Sequence, residues 1–254
     1  MIALLSPSKT LNEKPRLITE TYSIPEFLDK SSKLIEILKK YSPAQLEKLM
    51  NINPKLSHLN LERYLTWKLP FDTSNAQRAI LMFKGEVYNG LKAETLSEKK
   101  LLFAQDHVRI LSGLYGVLKP LDLMQPYRLE MGTLLKNPGG DNLYSFWGDL
   151  LTRKINEDIS THKEKTIINL ASDEYYNALD PSKINARMIK CMFKEERDGE
   201  LKFITVFGKK ARGLMTRFII ENKIGNSEDL KAFDSEGYRF NPEHSTKDAW
   251  MFSR

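Results

Sequence analysis

Short, mostly apolar runs at Ile2–Leu5, Val108–Leu111 and Thr166–Leu170 predict strands. Elsewhere the apolar residues recur at helical spacing. Phe27, Leu34, Ile35 and Leu38 predict a helix over Pro25–Lys40. Pro43 suits the first turn of a second helix, through Met50, with Ser42 as its N-cap. A third helix is predicted over Pro54–Thr66, and a largely helical stretch over Asn75–Leu91, with Gly85 as its point of interruption. Ser97 caps a helix running to His107. Phe146, Leu150, Leu151 and Ile155 place one helix over Leu143–Ile159, and Lys209–Ile224 reads as a long amphipathic helix. Ala186–Phe193 and Leu201–Phe207 flank the Gly199 turn as a β-hairpin. Gly237–Phe240 and Ala249–Phe252 are the last predicted strands.

Strands alternating with helices, plus a hairpin, predict an α/β protein with a mixed sheet flanked by helices. A chain of 254 residues, 41% hydrophobic, has material for one large core, so a single domain over 1–254 is expected. Phe71–Asn75 is the candidate junction between lobes. One cysteine, Cys191, excludes an internal disulfide, and Met192 and Phe193 beside it suggest a structural thiol in a strand. The amino terminus lacks the basic start and long apolar run of a signal peptide, and no apolar stretch has transmembrane length. A cytoplasmic protein without a membrane partner is expected. The net charge of +6 favours acidic partners, but charge speaks to encounter rather than to fold.

That charge becomes local on the last long helix. Ala211, Leu214, Met215, Phe218 and Ile219 share one side; the other carries Lys209, Lys210, Arg212, Arg217 and Lys223 against Glu221. Such a face is either solvated or a phosphate-binding surface, and small residues such as Gly213 let a backbone approach closely. Gly213 inside a helix costs roughly 1 kcal/mol against Ala, so a packing or contact reason is expected. In Arg109–Asp122, Gly113 and Gly116 mark a tight turn that either packs under its own side chains or offers N–H groups to a phosphate, with Lys119 beside it. Ser6-Pro7-Ser8-Lys9-Thr10 follows the first strand and suits an anion at a strand's carboxyl end. Ala171-Ser172-Asp173-Glu174 follows another strand and equally suits an ordinary helix start.

Catalysis is the rival reading. Ser6, Lys9, Ser172 and Glu174, with Arg128, Glu130 and Asp149, would line a strand-end pocket acting on a nucleotide or a nucleic-acid base. Lys9, Glu130, Asp149 and Glu174 are then the acid–base candidates. The histidines, His58, His107, His162 and His244, are scattered and form no metal-ligand motif, so no metal site is expected.

Taken together, these stretches resemble the YaaA peroxide-stress family. The resemblance is carried by Leu5-Ser6-Pro7-Ser8-Lys9-Thr10-Leu11, Phe83-Lys84-Gly85-Glu86-Val87-Tyr88, the run Leu111–Gly132, Phe146-Trp147-Gly148-Asp149, Ile168–Tyr175 and Lys209–Met215. Ser8 stands where members usually show Ala, and the tail after Tyr238 matches least. The resemblance implies a cytoplasmic protein of the hydrogen peroxide response, tied to lower unincorporated iron and less oxidative DNA damage. It also implies DNA binding through a basic cleft and a helix-hairpin-helix-like element, without an established cofactor or reaction. The Gly113–Gly116 turn resembles that hairpin, though its spacing departs from the usual G-x-G. With the basic helix, the expected DNA-contacting set is Lys9, Lys84, Arg109, Gly113, Gly116, Lys119, Arg128, Lys209, Lys210, Arg212 and Arg217. The expected partner is double-stranded or structured DNA, bound with low sequence specificity.

Overall fold

The computed structural model describes residues 1–14 and 18–254. In chain order its strands are β1 (Ile2–Leu5), β2 (Thr10–Leu11), β3 (Gln77–Arg78), β4 (Phe83–Lys84), β5 (Val108–Ser112) and β6 (Gly116–Leu118). They continue as β7 (Leu123–Met124), β8 (Thr166–Asn169), β9 (Arg187–Arg197), β10 (Glu200–Lys202), β11 (Arg239–Asn241) and β12 (Ala249–Ser253). β1, β5 and β8 are buried along their whole length, as strands covered on both faces must be.

The main sheet runs β11-β12-β9-β8-β1-β5-β6, with β10 paired to β9. β1, β5, β8, β9 and β12 are parallel neighbours, while β6, β10 and β11 are antiparallel. This is the mixed α/β sheet that the sequence predicts. Taken in chain order, the parallel strands lie 2-1-3-4-5 across the sheet. The direction of winding therefore reverses between β1 and β8. In open sheets such a reversal opens a crevice at the carboxyl ends of the strands.

Several predicted helices form closely as expected. Ser42 and Gln45 make a reciprocal capping box before Pro43–Met50, and Pro54–Thr66 is capped by Asn53. Asn75–Leu91 differs from expectation. It breaks into β3, a helical turn at Ala79–Met82, β4, and the helix Glu86–Leu91 after Gly85 at φ 128°. The run Ala79–Phe83 is buried throughout, so its sequence carries no period to read. Leu143–Ile159 is likewise two helices, Leu143–Trp147 and Leu150–Ser160, divided at Gly148 with φ 47°. Phe71, at the candidate lobe junction, is buried between Trp67 and Tyr115. Among the described residues no helix is long and apolar enough to cross a membrane.

The long helix spans Thr205–Glu221 and crosses Glu86–Leu91 in backbone contact. A Cβ on Gly213 would stand 1.8 Å from the Val87 carbonyl oxygen, and one on Gly90 2.3 Å from that of Lys210. This is the packing reason for a glycine inside the helix. Gly213→Ala therefore forces the helices apart. We expect a loss of about 1–3 kcal/mol in denaturant unfolding, the usual range for overpacking. A variant as stable as the wild type would refute the close crossing.

Candidate functional site

Two loops leave the sheet at the point of reversal, one after β1 and one after β8. Ser6 joins them: its Oγ accepts the Ser172 backbone N–H at 2.8 Å and donates to Ser172 Oγ at 3.2 Å. Tyr88 donates its hydroxyl to the Ser6 carbonyl at 3.0 Å, which fixes the β1 loop against the Glu86–Leu91 helix. Gly85 admits Ser8 closely, since a Cβ there would lie 2.9 Å from Ser8 Oγ.

The third wall is the segment after Tyr127. Tyr127–Leu135 forms no regular strand, and packing positions it instead. Gly113 is buried beneath it, and a Cβ at Gly113 would stand 2.3 Å from the Leu129 carbonyl oxygen. Trp147 donates Nε1–H to the Gly113 carbonyl at 3.0 Å. Gly113 and Gly116 belong to the turn between β5 and β6, where Ser112 pairs with Gly116. The turn therefore joins two strands rather than two helices, which corrects its reading as a helix-hairpin-helix element. Both glycines are buried, and Gly116 takes φ 72°, which only glycine adopts without strain.

Lys9 pairs with Glu130 here, and Glu174 binds the same segment two residues on. One Glu130 oxygen, Oε1, takes both Lys9 Nζ at 2.9 Å and Arg128 Nη2 at 3.0 Å. Glu174 Oε1 accepts the Gly132 backbone N–H at 3.0 Å. Arg128 Nε is buried without a partner. The depression between Lys9, Arg128, Glu130, Tyr127 and Tyr175 has a volume of about 10 Å³, room for no more than one water. Burial raises the pKa of Tyr88, Tyr127 and Tyr175 far above the ordinary phenol range, so all three are neutral donors. Asp149 stands apart, paired with Lys183 at 2.9 Å.

Along the same edge Lys190 pairs with Asp173 at 2.8 Å. That hydrogen bond and charge hold the Asp173 carboxyl below its ordinary pKa, with a smaller contribution from Arg212. The Arg212 side chain makes no hydrogen bond or ion pair among the described residues. Burial pulls its pKa below the ordinary guanidinium value, against the opposing field of Asp173. Lys84 and Lys209 are exposed and also lack an ion-pair partner among the described residues.

The remaining candidates serve the fold. Arg109 is 4% exposed and bound to Asp158 at 2.6 Å, with further donations to the Gln105 and Val108 carbonyls. It lies with Lys119 at the amino ends of the parallel strands, the edge opposite Lys9. Lys210 pairs with Glu236. Arg217 donates to the Leu91 carbonyl, Thr95 Oγ1 and Glu221. Cys191 is buried, which pushes its thiol up to about 12 and leaves it a structural residue. Lys190, Tyr88 and Gly132 were not singled out from the sequence. Lys190 reaches Asp173 because β9 lies beside β8 with Lys190 opposite Asn169, a register with no local signal.

The amino-terminal edge carries a pH-dependent group. Burial chiefly, then the Met1 ammonium beside it, lowers His162 from 6.5 to about 4. The folded state thus binds fewer protons than the unfolded state between those values. His162 adds stability that is complete above about pH 6.5 and lost as pH falls towards 4. We expect denaturant midpoints to fall over that window, and His162→Gln to flatten the fall; an unchanged slope would contradict it.

A family model described as peroxide stress protein YaaA matches residues 1–244. The match covers nearly the whole chain, and it fits a role in the peroxide response. The chain belongs to the YaaA peroxide stress protein family.

Proposed function

We propose that the carboxyl edge of the sheet binds the phosphate backbone of DNA during peroxide stress and so limits iron-driven oxidative damage to it. Arg212 carries this reading. A guanidinium drawn out of water beside a carboxylate already held by Lys190 has unused donors, and phosphate is the anion that fits their fork. Lys84 and Lys209 extend the positive edge to either side. Lys9 joins them readily: it is 61% exposed, so its pair with Glu130 contributes at most about 1 kcal/mol and exchanges easily for a phosphate. Contacts of this kind read shape and charge rather than base sequence. The test is cleavage of duplex DNA by ferrous iron and hydrogen peroxide. Wild-type protein should protect the duplex and Arg212→Gln should protect it less. Equal protection by both, or none by either, would overturn the reading.

The Lys9–Glu130 pair, with Glu174 bound to the Gly132 backbone, favours a second reading, an enzyme acting on a nucleotide or nucleic-acid base. Against it stand the small size of the depression, about 10 Å³, and the pairing of Asp149 with Lys183. Calorimetric titration with nucleoside monophosphates separates the two. Saturable binding abolished by Lys9→Ala would support the enzyme.

A further inference from the structure

Arg78 is 3% exposed, yet no carboxylate among the described residues lies within ion-pair distance. Its Nε donates to the Thr21 carbonyl at 2.9 Å, while Nη2 is buried without any partner. A buried guanidinium with an unmet donor and no counter-charge is unfavourable, so a site that keeps one is suited to a counter-anion. Arg78 sits at a junction of two elements. Its backbone is fixed by the pairing of β3 with β7, and Arg78 opens the helical turn Ala79–Met82.

Gln77, its neighbour, is 8% exposed. The Gln77 Oε1 atom accepts the Arg78 backbone N–H at 2.9 Å, which leaves the side-chain NH2 unused among the described residues. Arg78 and Gln77 both wall a cavity of about 420 Å³, together with Asn75, Met82 and Pro126. That volume suits a small organic ligand. None of these residues belongs to the Lys9–Arg212 edge. Two acids also line the cavity. Glu13 is engaged by Arg63, and Glu20 is exposed and close enough for its field to raise the Arg78 pKa against the larger opposing effect of burial.

We propose that Arg78 and Gln77 form a binding site for the carboxylate or phosphate group of a small organic anion. The guanidinium receives two oxygens of the headgroup, the Gln77 amide donates to one of them, and Met82 and Pro126 face the ligand's carbon skeleton. The proposal is independent of DNA binding.

Isothermal titration at low ionic strength tests it, with inorganic phosphate and succinate as separate probes. Wild-type protein should bind at least one probe saturably at a single site. The tighter probe identifies the headgroup. Arg78→Gln should weaken that binding at least tenfold. Gln77→Leu, which keeps the charge, should weaken it several-fold and serves where Arg78→Gln does not fold. Absence of saturable binding of either probe to the wild type would overturn the site, as would undiminished binding by a folded Arg78→Gln or Gln77→Leu variant.

Discussion

Asp158→Ala should lower the unfolding free energy by about 3–5 kcal/mol, the cost of stranding a buried charge. Arg109 Nε and Asp158 meet at 2.6 Å with side chains 5% and 7% exposed, and Lys154 adds a contact to Asp158 at 3.2 Å. Removing the carboxylate leaves the Arg109 guanidinium dry and unneutralised. Replacing both partners with apolar residues, Arg109→Met with Asp158→Leu, should restore most of the loss, because no charge is then buried. The pair also sets an acid limit. Burial opposes ionisation of Asp158, but Arg109 and Lys154 outweigh it and hold the carboxyl below 3.8. Its contribution is therefore complete above about pH 4 and lost as pH falls further. Denaturant unfolding of the single and double variants checks this. A single variant within 1 kcal/mol of the wild type would contradict the pair's role. Arg109→Met should leave the salt dependence of DNA binding unchanged, since this arginine supports the core.

Replacing Lys209 and Arg212 together by Ala should weaken duplex binding at least tenfold at low salt, and by less as salt rises. Each phosphate neutralised contributes roughly −0.9 to the slope of log affinity against log salt. The edge offers Lys9, Lys84, Lys209 and Arg212, which gives a slope of about −4. Losing the last two makes it shallower by about 2. Lys210→Ala and Arg217→Ala are the controls. They lie on the same helix, but their charges are held by Glu236 and Glu221. Arg217 in addition ties the long helix to the end of Glu86–Leu91. Their removal should cost stability and leave the slope unchanged.

The basic helix face thus divides between Lys210 and Arg217, which are ion-paired, and Lys209 and Arg212, which have no ion-pair partner among the described residues. Helical spacing placed all five cations together, but their partners come from distant segments: Glu236 for Lys210, Leu91 and Thr95 for Arg217. The Arg109–Asp158 pair, likewise, spans two elements that only the folded sheet brings together. The loops after β1 and β8 were legible as strand ends followed by Ser6 and Ser172. Their contact was not, because the adjacency of β1 and β8 is a matter of winding order. Buried strands and capped helices were read well, since a bounded apolar run and a Ser42–Gln45 cap are local signals. Ala79–Phe83 and the break at Gly148 were misread where burial on all sides, or one left-handed glycine, overrode the period. The Gly113–Gly116 turn was legible as a turn, but which elements it joins was not.

Fluorescence anisotropy of a labelled duplex, titrated at several salt concentrations with wild-type protein and with the Lys209→Ala, Arg212→Ala double variant, tests the binding edge most directly. A steep wild-type salt slope that becomes shallower by about 2 in the variant is the predicted result. No binding at low salt, binding indifferent to salt, or the same slope in both proteins would contradict it.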